Sequence, residues 1–289
     1  MAVKLILGTV QFGLPYGIAN TSGQPSYRSV CDILSAAAAG GVDMLDTAAD
    51  YGESEAVLGR ALAELGLRGR MTVVSKIEHL PGNLTAAEAR KRIGGSLERS
   101  LRRLKLERLP IGLFHEEGNL CYREILQEFV AAGLVGAAGV SLDEKVVPAV
   151  AGAACVQIPC NILDRRFNRL LAEAPAPQMI FARSVYLQGL LLMPEEKIPD
   201  RLREIIPLRR RLEQLAGTAG MPPRELYFRY LLSQNGLSGI LIGVDSPAQL
   251  EENLRLASAG PLPEDLLAAI RQMVPVLAER LVRPHCWAA

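Results

Sequence analysis

Aromatic residues are scarce in this 289-residue chain, at 5% of positions with a single tryptophan. An excess of either charge is missing too, since 32 Lys and Arg against 31 Asp and Glu leave a net +1. Such a balance gives no global field to draw in nucleic acid or an anionic membrane, so neither is expected as a partner. The cysteines, Cys31, Cys121, Cys155, Cys160 and Cys286, are odd in number and scattered. That argues against a disulfide framework and for a reducing compartment. Cys155 and Cys160 lack a second Cys or His pair and read as core thiols, so no metal site is expected. No apolar run is long enough to span a bilayer, and no basic stretch followed by an apolar one opens the chain, which leads us to expect a cytoplasmic protein. No Pro-, Gly- or Ser-rich linker divides the sequence. One domain over residues 1–289 follows.

What is present is a 49% apolar content, enough for a large core. Short apolar runs alternate with longer amphipathic segments from end to end. The strand candidates are "KLILGT", "VDMLDTA", "MTVVSKI", "PIGLFH", "VGAAGVS", "CVQIPCN", "MIFARSV" and "GILIGV". Between them lie helix candidates with recognisable starts. Thr85 with Glu88 forms a capping box before "AAEARKRIGGSLERSLRRLK", and Ser54 stands where a cap for "EAVLGRALAEL" is expected. Strands apolar at consecutive positions and separated by helices imply a parallel sheet covered on its outer face. Eight such units in under 300 residues predict a single-domain α/β fold, a (β/α)8 TIM barrel. An open doubly wound sheet would advertise a Gly-rich turn after its first strand, but "GTVQFGLPYG" contains neither G-x-G-x-x-G nor a P-loop.

In such a barrel the active site is built where the strands end. Strand two ends at Asp46 with Tyr51 beyond it, strand three at Lys76, strand four at His115 and strand five at Ser141. Gln157 and Asn161 lie on strand six, Arg183 and Ser184 on strand seven. Each has a plain structural reading alone: a lysine snorkelling to the rim, a half-buried imidazole. Together they make a chemistry. Asp46 keeps Lys76 charged, and a charged lysine favours the phenolate of Tyr51, which makes Tyr51 a usable proton donor near neutral pH. His115 could hydrogen-bond a carbonyl oxygen and orient it. No nucleophile stands beside a base, and no carboxylate pair flanks a bond. Proton donation to a carbonyl fits best, and reduction then needs a hydride from a cofactor. The Arg-rich stretches 99–108 and 201–211 read as solvated helix faces.

The sequence resembles the aldo-keto reductase family over essentially its whole length, through "LGTVQFG", "DTAADYGESEAVLG", "SLERSLRRLKLERLPIGLFH", "GVS", "QIPCNILDRR", "QGLLL" and "IGVDSPAQLEENL". The resemblance implies a catalytic tetrad of Asp46, Tyr51, Lys76 and His115, with Tyr51 as general acid. It implies an NAD(P)H cofactor whose nicotinamide carboxamide is held at Ser141 and Gln157. Arg183 and Ser184 would sit by the nicotinamide, and Gly8, Thr9, Gly243, Gln249 and Asn253 would contribute further cofactor contacts. The substrate would be a small-molecule carbonyl. Two departures stand out: Leu142 where many members carry Asn, and Arg183 where many stack a tyrosine on the nicotinamide. The segment from Gly243 to Gln249 also lacks a Lys or Arg to pair a 2′-phosphate, and Asp245 would repel one, so NADH preference is expected. The rival readings are a barrel that binds a nicotinamide cofactor without catalysis, and a reductase of small apolar aldehydes rather than of sugars or other polar metabolites. The C-terminal "VRPHCWAA" could pack on the barrel wall or bring Trp287 over the pocket mouth.

Overall fold

In the computed structural model, residues 3–287 are described except 22, 174 and 176. The eight strands are β1 (Lys4–Gly8), β2 (Met44–Asp46), β3 (Thr72–Lys76), β4 (Leu109–Phe114), β5 (Val135–Ser141), β6 (Cys155–Pro159), β7 (Met179–Arg183) and β8 (Gly239–Gly243). They close into a barrel in sequence order, and β1 pairs in parallel with both β2 and β8. Each strand falls inside one of the eight expected runs except β4, which starts one residue earlier, at Leu109.

The helices are α1 (Tyr27–Ala39), α2 (Ser54–Glu64), α3 (Ala86–Leu104), α4 (Arg123–Ala131), α5 (Asn168–Glu173), α6 (Ile206–Thr218), α7 (Pro223–Leu232), α8 (Pro247–Ser258), α9 (Glu264–Met273) and α10 (Glu279–Val282). The β5 to β6 connection carries only a 3₁₀ turn, Pro148–Gly152, so the alternation is not perfectly regular. The α3 capping box forms: Thr85 accepts from the Glu88 N–H while Glu88 accepts from that of Thr85. Ser54 does not cap α2. It lies inside the first turn, and its hydroxyl donates to the carbonyl of Thr9 at 2.7 Å. A fully buried hydroxyl satisfies itself on the nearest free carbonyl, here at the end of β1.

Two apolar layers explain the unbroken strand hydrophobicity. Ile6, Met44, Val74, Ile111, Leu113, Cys155, Phe181 and Leu241 fill the barrel interior. Leu7, Leu45 and Val73 face the other way into the helix-covered shell. Successive residues point to opposite sides, so both sides must be apolar. Cys155 is therefore a core thiol, and burial pushes its pKa well above the ordinary thiol range. Trp287 packs into the outer shell, 3% exposed, with its indole N–H donating to the Arg280 carbonyl at 3.0 Å. It does not cover the mouth. Within the 201–211 stretch, Arg209 departs from a solvated face: its guanidinium is buried on the carbonyls of Leu190 and Met193.

Candidate active site

The period of two that fills the barrel also assembles the site. Two residues beyond each interior side chain, on the same side of the strand, stand Gly8 after Ile6, Asp46 after Met44, Lys76 after Val74, and His115 after Leu113. The pattern continues with Gln157 after Cys155, Arg183 after Phe181, and Gly243 after Leu241. The ladder sets them in one ring: Gly8 is in register with both Asp46 and Gly243, and Ser141 with Gln157.

Asp46 and Lys76 are buried, 3% and 2% exposed. The Lys76 ammonium donates to both Asp46 carboxylate oxygens, at 2.9 and 2.7 Å, and to the Thr47 carbonyl at 2.9 Å. Burial works against its charge, but Asp46 and then Tyr51 outweigh it, so its pKa is held above the ordinary lysine value. The Tyr51 ring centroid lies 5.0 Å from Nζ. Gln157 donates its amide N–H to Asp46 Oδ1, which ties β6 to the same carboxylate.

The Tyr51 turn is fixed by backbone contact with the loop after β1. A Cβ on Gly13 would stand 1.9 Å from the Tyr51 carbonyl and 2.4 Å from the Ser54 nitrogen. Gly52 takes φ +54° against the Gly13 carbonyl. Gly13→Ala cannot be relieved by a rotamer change, because the obstructing atoms are main chain. It is expected to lower stability by about 1–3 kcal/mol and to reduce activity by displacing Tyr51. Urea unfolding together with turnover checks this, and a variant matching wild type in both would show the contact to be dispensable.

His115 stands edge-on to Tyr51, ring centroids 5.6 Å apart at 76°. Burial, aided by the charges of Lys76 and His79 and opposed by Asp50, lowers its pKa to about 4, so the ring is neutral at physiological pH. Its Nδ1 lies 3.4 Å from Asp50 Oδ2 but makes no hydrogen bond. His79 stacks on it, centroids 4.3 Å apart at 28°, and places its own Nδ1 2.7 Å from the same oxygen. The two imidazoles, His115 first, hold the Asp50 carboxyl well below the usual carboxylate range. Asp50 raises the pKa of His79 in turn.

The remaining residues expected at the cofactor divide into two groups. Gly8, Ser141, Gln157, Arg183 and Gly243 belong to the ring, and Ser184 follows it directly. The other side chains are engaged within the protein. The Thr9 hydroxyl is fully buried on the Asp46 carbonyl and Ser54. Asn253 donates to the Gln249 carbonyl and accepts from the Tyr186 hydroxyl, while Gln249 accepts the Asp245 N–H. Leu142 is fully buried. The positive charge of Arg183 is matched by Asp143 at 3.0 Å, and Arg283 holds that carboxylate's second oxygen from the C-terminal segment.

Several neighbours escaped the sequence reading. Tyr16, 39% exposed, receives a hydrogen bond from Gln188, and its hydroxyl pKa is raised by burial first and by the nearby Tyr51 next. Ser184, Leu187 and Gln188 all adopt positive φ, from 50° to 64°, which concentrates backbone strain in the loop after β7. Asp50 and His79 could have been noticed as polar residues beside Tyr51 and just after Lys76. Gln11 gave no signal, yet it lies directly over Gly243.

A nicotinamide cofactor fits these residues on two observations. The Gln157 Oε1 is buried without a hydrogen-bond partner and would accept an amide N–H, and the Gln11 Oε1 is in the same condition. Gly8 and Gly243 add no side chain to the rim between β1 and β8, and the amide that lies over Gly243 is that of Gln11.

Fold and ring together define a (β/α)8 barrel with its polar site at the C-terminal mouth, the arrangement of barrel enzymes. Residues 4–275 match the aldo/keto reductase family, and the chain belongs to it. Aldo-keto reductase YhdN of Bacillus subtilis (strain 168) is 26% identical over 255 residues, which is 78% of this chain and 77% of that protein. Among solved structures, aldo-keto reductase AKR11C1 from Bacillus halodurans in its holo form superposes with a TM-score of 0.77 at 19% identity, covering 97% of this chain and 95% of its own. Glycerol dehydrogenase AKR11B4 from Gluconobacter oxydans gives 0.72 at 22% identity, covering 93% and 90%. These two likenesses concern the fold. Membership implies an oxidoreductase that uses a nicotinamide cofactor. Among the described residues no helix is long and apolar enough to cross a membrane.

Proposed function

We propose that this chain reduces the carbonyl group of a small polar molecule to an alcohol, with Tyr51 as general acid. The observation that carries the reading is the buried Lys76 ammonium, locked by Asp46 and set 5.0 Å from the Tyr51 ring. A reduced nicotinamide bound at the mouth would supply the hydride that the carbonyl carbon needs. The hydroxyl proton of Tyr51 goes to the carbonyl oxygen, and Lys76 stabilises the phenolate left behind. His115, neutral, orients the oxygen by hydrogen bonding. Ser141 and Gln157 would hold the carboxamide. The polar groups around the mouth, Tyr16, Gln188, Asp50, His79 and Arg183, favour a substrate that carries hydroxyls over an apolar aldehyde.

We further propose that NADH serves at least as well as NADPH. Asp245 has one carboxylate oxygen buried without a partner, and only burial acts on it, raising its pKa. Arg224, from α7, is already paired with Glu252 at 3.3 Å. A 2′-phosphate beside Asp245 would meet a like charge and forgo charge-assisted hydrogen bonds. The test follows NADH and NADPH oxidation against a panel of hydroxyaldehydes, ketones and alkyl aldehydes. Consumption of reduced cofactor with polar carbonyls is expected, and none with any carbonyl would refute the reductase reading. Asp245→Arg should tighten NADPH selectively by about one to two decades. Wild-type NADPH binding about a hundredfold tighter than NADH would rule out the cofactor reading.

A further inference from the structure

Asp50, His79 and His115 bring three metal-ligating atoms within 4.8 Å of one another at the rim of the mouth. They come from the turn after β2 and the ends of β3 and β4. Asp50 Oδ2 is the focus, 2.7 Å from His79 Nδ1 and 3.4 Å from His115 Nδ1. The His79 backbone N–H donates to that oxygen at 3.0 Å and anchors it.

This convergence is poorly served by protons alone. His79 Nδ1–H can donate to the carboxylate. The second imidazole then turns Nδ1 toward an oxygen already engaged, and that buried nitrogen is without a hydrogen-bond partner. Only the Nδ1–H tautomer of His115 makes that contact attractive, and 3.4 Å is long for the hydrogen bond it would form. A cation is the group that accepts one carboxylate and two imidazole lone pairs at once. Zinc–nitrogen and zinc–oxygen bonds of about 2.0–2.2 Å place tetrahedral ligand atoms roughly 3.4 Å apart, which is the separation of His115 Nδ1 from Asp50 Oδ2, whereas His79 Nδ1, at 2.7 Å from that oxygen, has to draw back from its hydrogen bond to admit the ion. The site is also reachable, with the His79 side chain 51% and that of Asp50 36% exposed. The carboxylate of Glu116 adds negative field at His79.

We propose that Asp50, His79 and His115 form a divalent-cation site of the zinc class, with three protein ligands and an open position facing solvent. A three-ligand N₂O set with a free position is the type that Zn²⁺ and Co²⁺ occupy. The consequence for the reaction rests on the reductase reading: a cation on Nδ1 leaves the His115 proton on Nε2, the tautomer that donates to a carbonyl oxygen. The expected absence of a metal site came from the cysteines alone, and no cysteine takes part in this cluster.

The test is equilibrium binding, which does not depend on turnover. Chelator-treated full-length protein is titrated with Zn²⁺ against a chromophoric chelator, and with Co²⁺ by visible absorption. One metal per chain is expected at micromolar concentration, and the cobalt form should show ligand-field bands without thiolate charge transfer. His79→Ala and Asp50→Ala should each weaken binding by on the order of tenfold or more, while the Cys121→Ser/Cys286→Ser double variant binds as wild type does. His79→Gln keeps the bulk and removes the ligand, so it decides the matter if His79→Ala folds poorly. Absence of uptake, a thiolate band, or binding lost in the cysteine variant but kept in His79→Gln overturns the site. A reductase that fails to bind metal and a metal-binding chain that fails to reduce carbonyls are separate outcomes, so the two readings fall independently.

Discussion

Tyr51→Phe should lower carbonyl reduction by about 10²–10⁴-fold, the usual contribution of a positioned general acid. The substitution keeps the ring, and with it the edge contact to His115 at 5.6 Å and the face presented to Lys76 at 5.0 Å. Only the hydroxyl, and with it the transferable proton, is lost. Cofactor affinity should therefore stay nearly unchanged, because the residues that fit the nicotinamide, Gln157 and Ser141 above all, lie on β5 and β6 rather than on the Tyr51 turn. Steady-state turnover and a fluorescence titration with reduced cofactor separate the two effects. Turnover within a few-fold of wild type would assign proton transfer to another group, with Tyr16 the first to examine because its hydroxyl lies near enough to Tyr51 to be raised by it. Loss of cofactor binding alongside turnover would show that the hydroxyl shapes the pocket instead.

The largest expected change in stability comes from Lys76→Met. The ammonium is the only cation bonded to the buried Asp46 carboxylate among the described residues, with Gln157 adding one amide. Removing one member of a buried ion pair strands the other in low dielectric, at a cost of about 3–5 kcal/mol. The Thr47 carbonyl also loses the donor it has at 2.9 Å. The double variant Asp46→Leu/Lys76→Met removes both charges together and should recover much of the loss, since apolar replacement of a whole buried pair is often close to neutral. Urea unfolding of the wild type, both single variants and the double variant closes the cycle. A single-variant loss under about 1 kcal/mol would mean that the pair behaves like an exposed one, contrary to its burial. Such a double variant, stable but inactive, would separate what the pair does for the fold from what it does for Tyr51.

Several features were legible before any coordinates because they are local. The eight strands announce themselves by apolar runs of strand length, and the capping box at Thr85 by two residues three apart. The proposed tetrad positions are those the family resemblance marks: the aspartate of "DTA" with a tyrosine five residues on, the lysine of "VVSK" and the histidine of "GLFH". Ser54 was misread because a serine before an apolar helix has the composition of a cap. Its partner is the Thr9 carbonyl, 45 residues away, which no local rule can supply. Arg183 looked like a positive charge beside the nicotinamide. The fold pairs it with Asp143, itself held by Arg283 from the far end of the chain.

The sequence by itself therefore determined which side of the barrel each residue faces. A strand's period of two is fixed by the backbone, so an interior Met44, Val74, Cys155 or Phe181 puts Asp46, Lys76, Gln157 and Arg183 on the same side one step nearer the mouth. Only the tertiary structure decided which polar atoms meet across that mouth. Closure brings β1 against β8 and sets the strand register, while loops of unequal length choose where Asp50 and His79 come to rest. The meeting of Gln157 with Asp46, 111 residues apart, and of Asp50 with two imidazoles depends on distances of a few ångströms between separate elements. Charge and hydrogen bonding act through space, whereas periodicity acts along the chain, and the site draws on both.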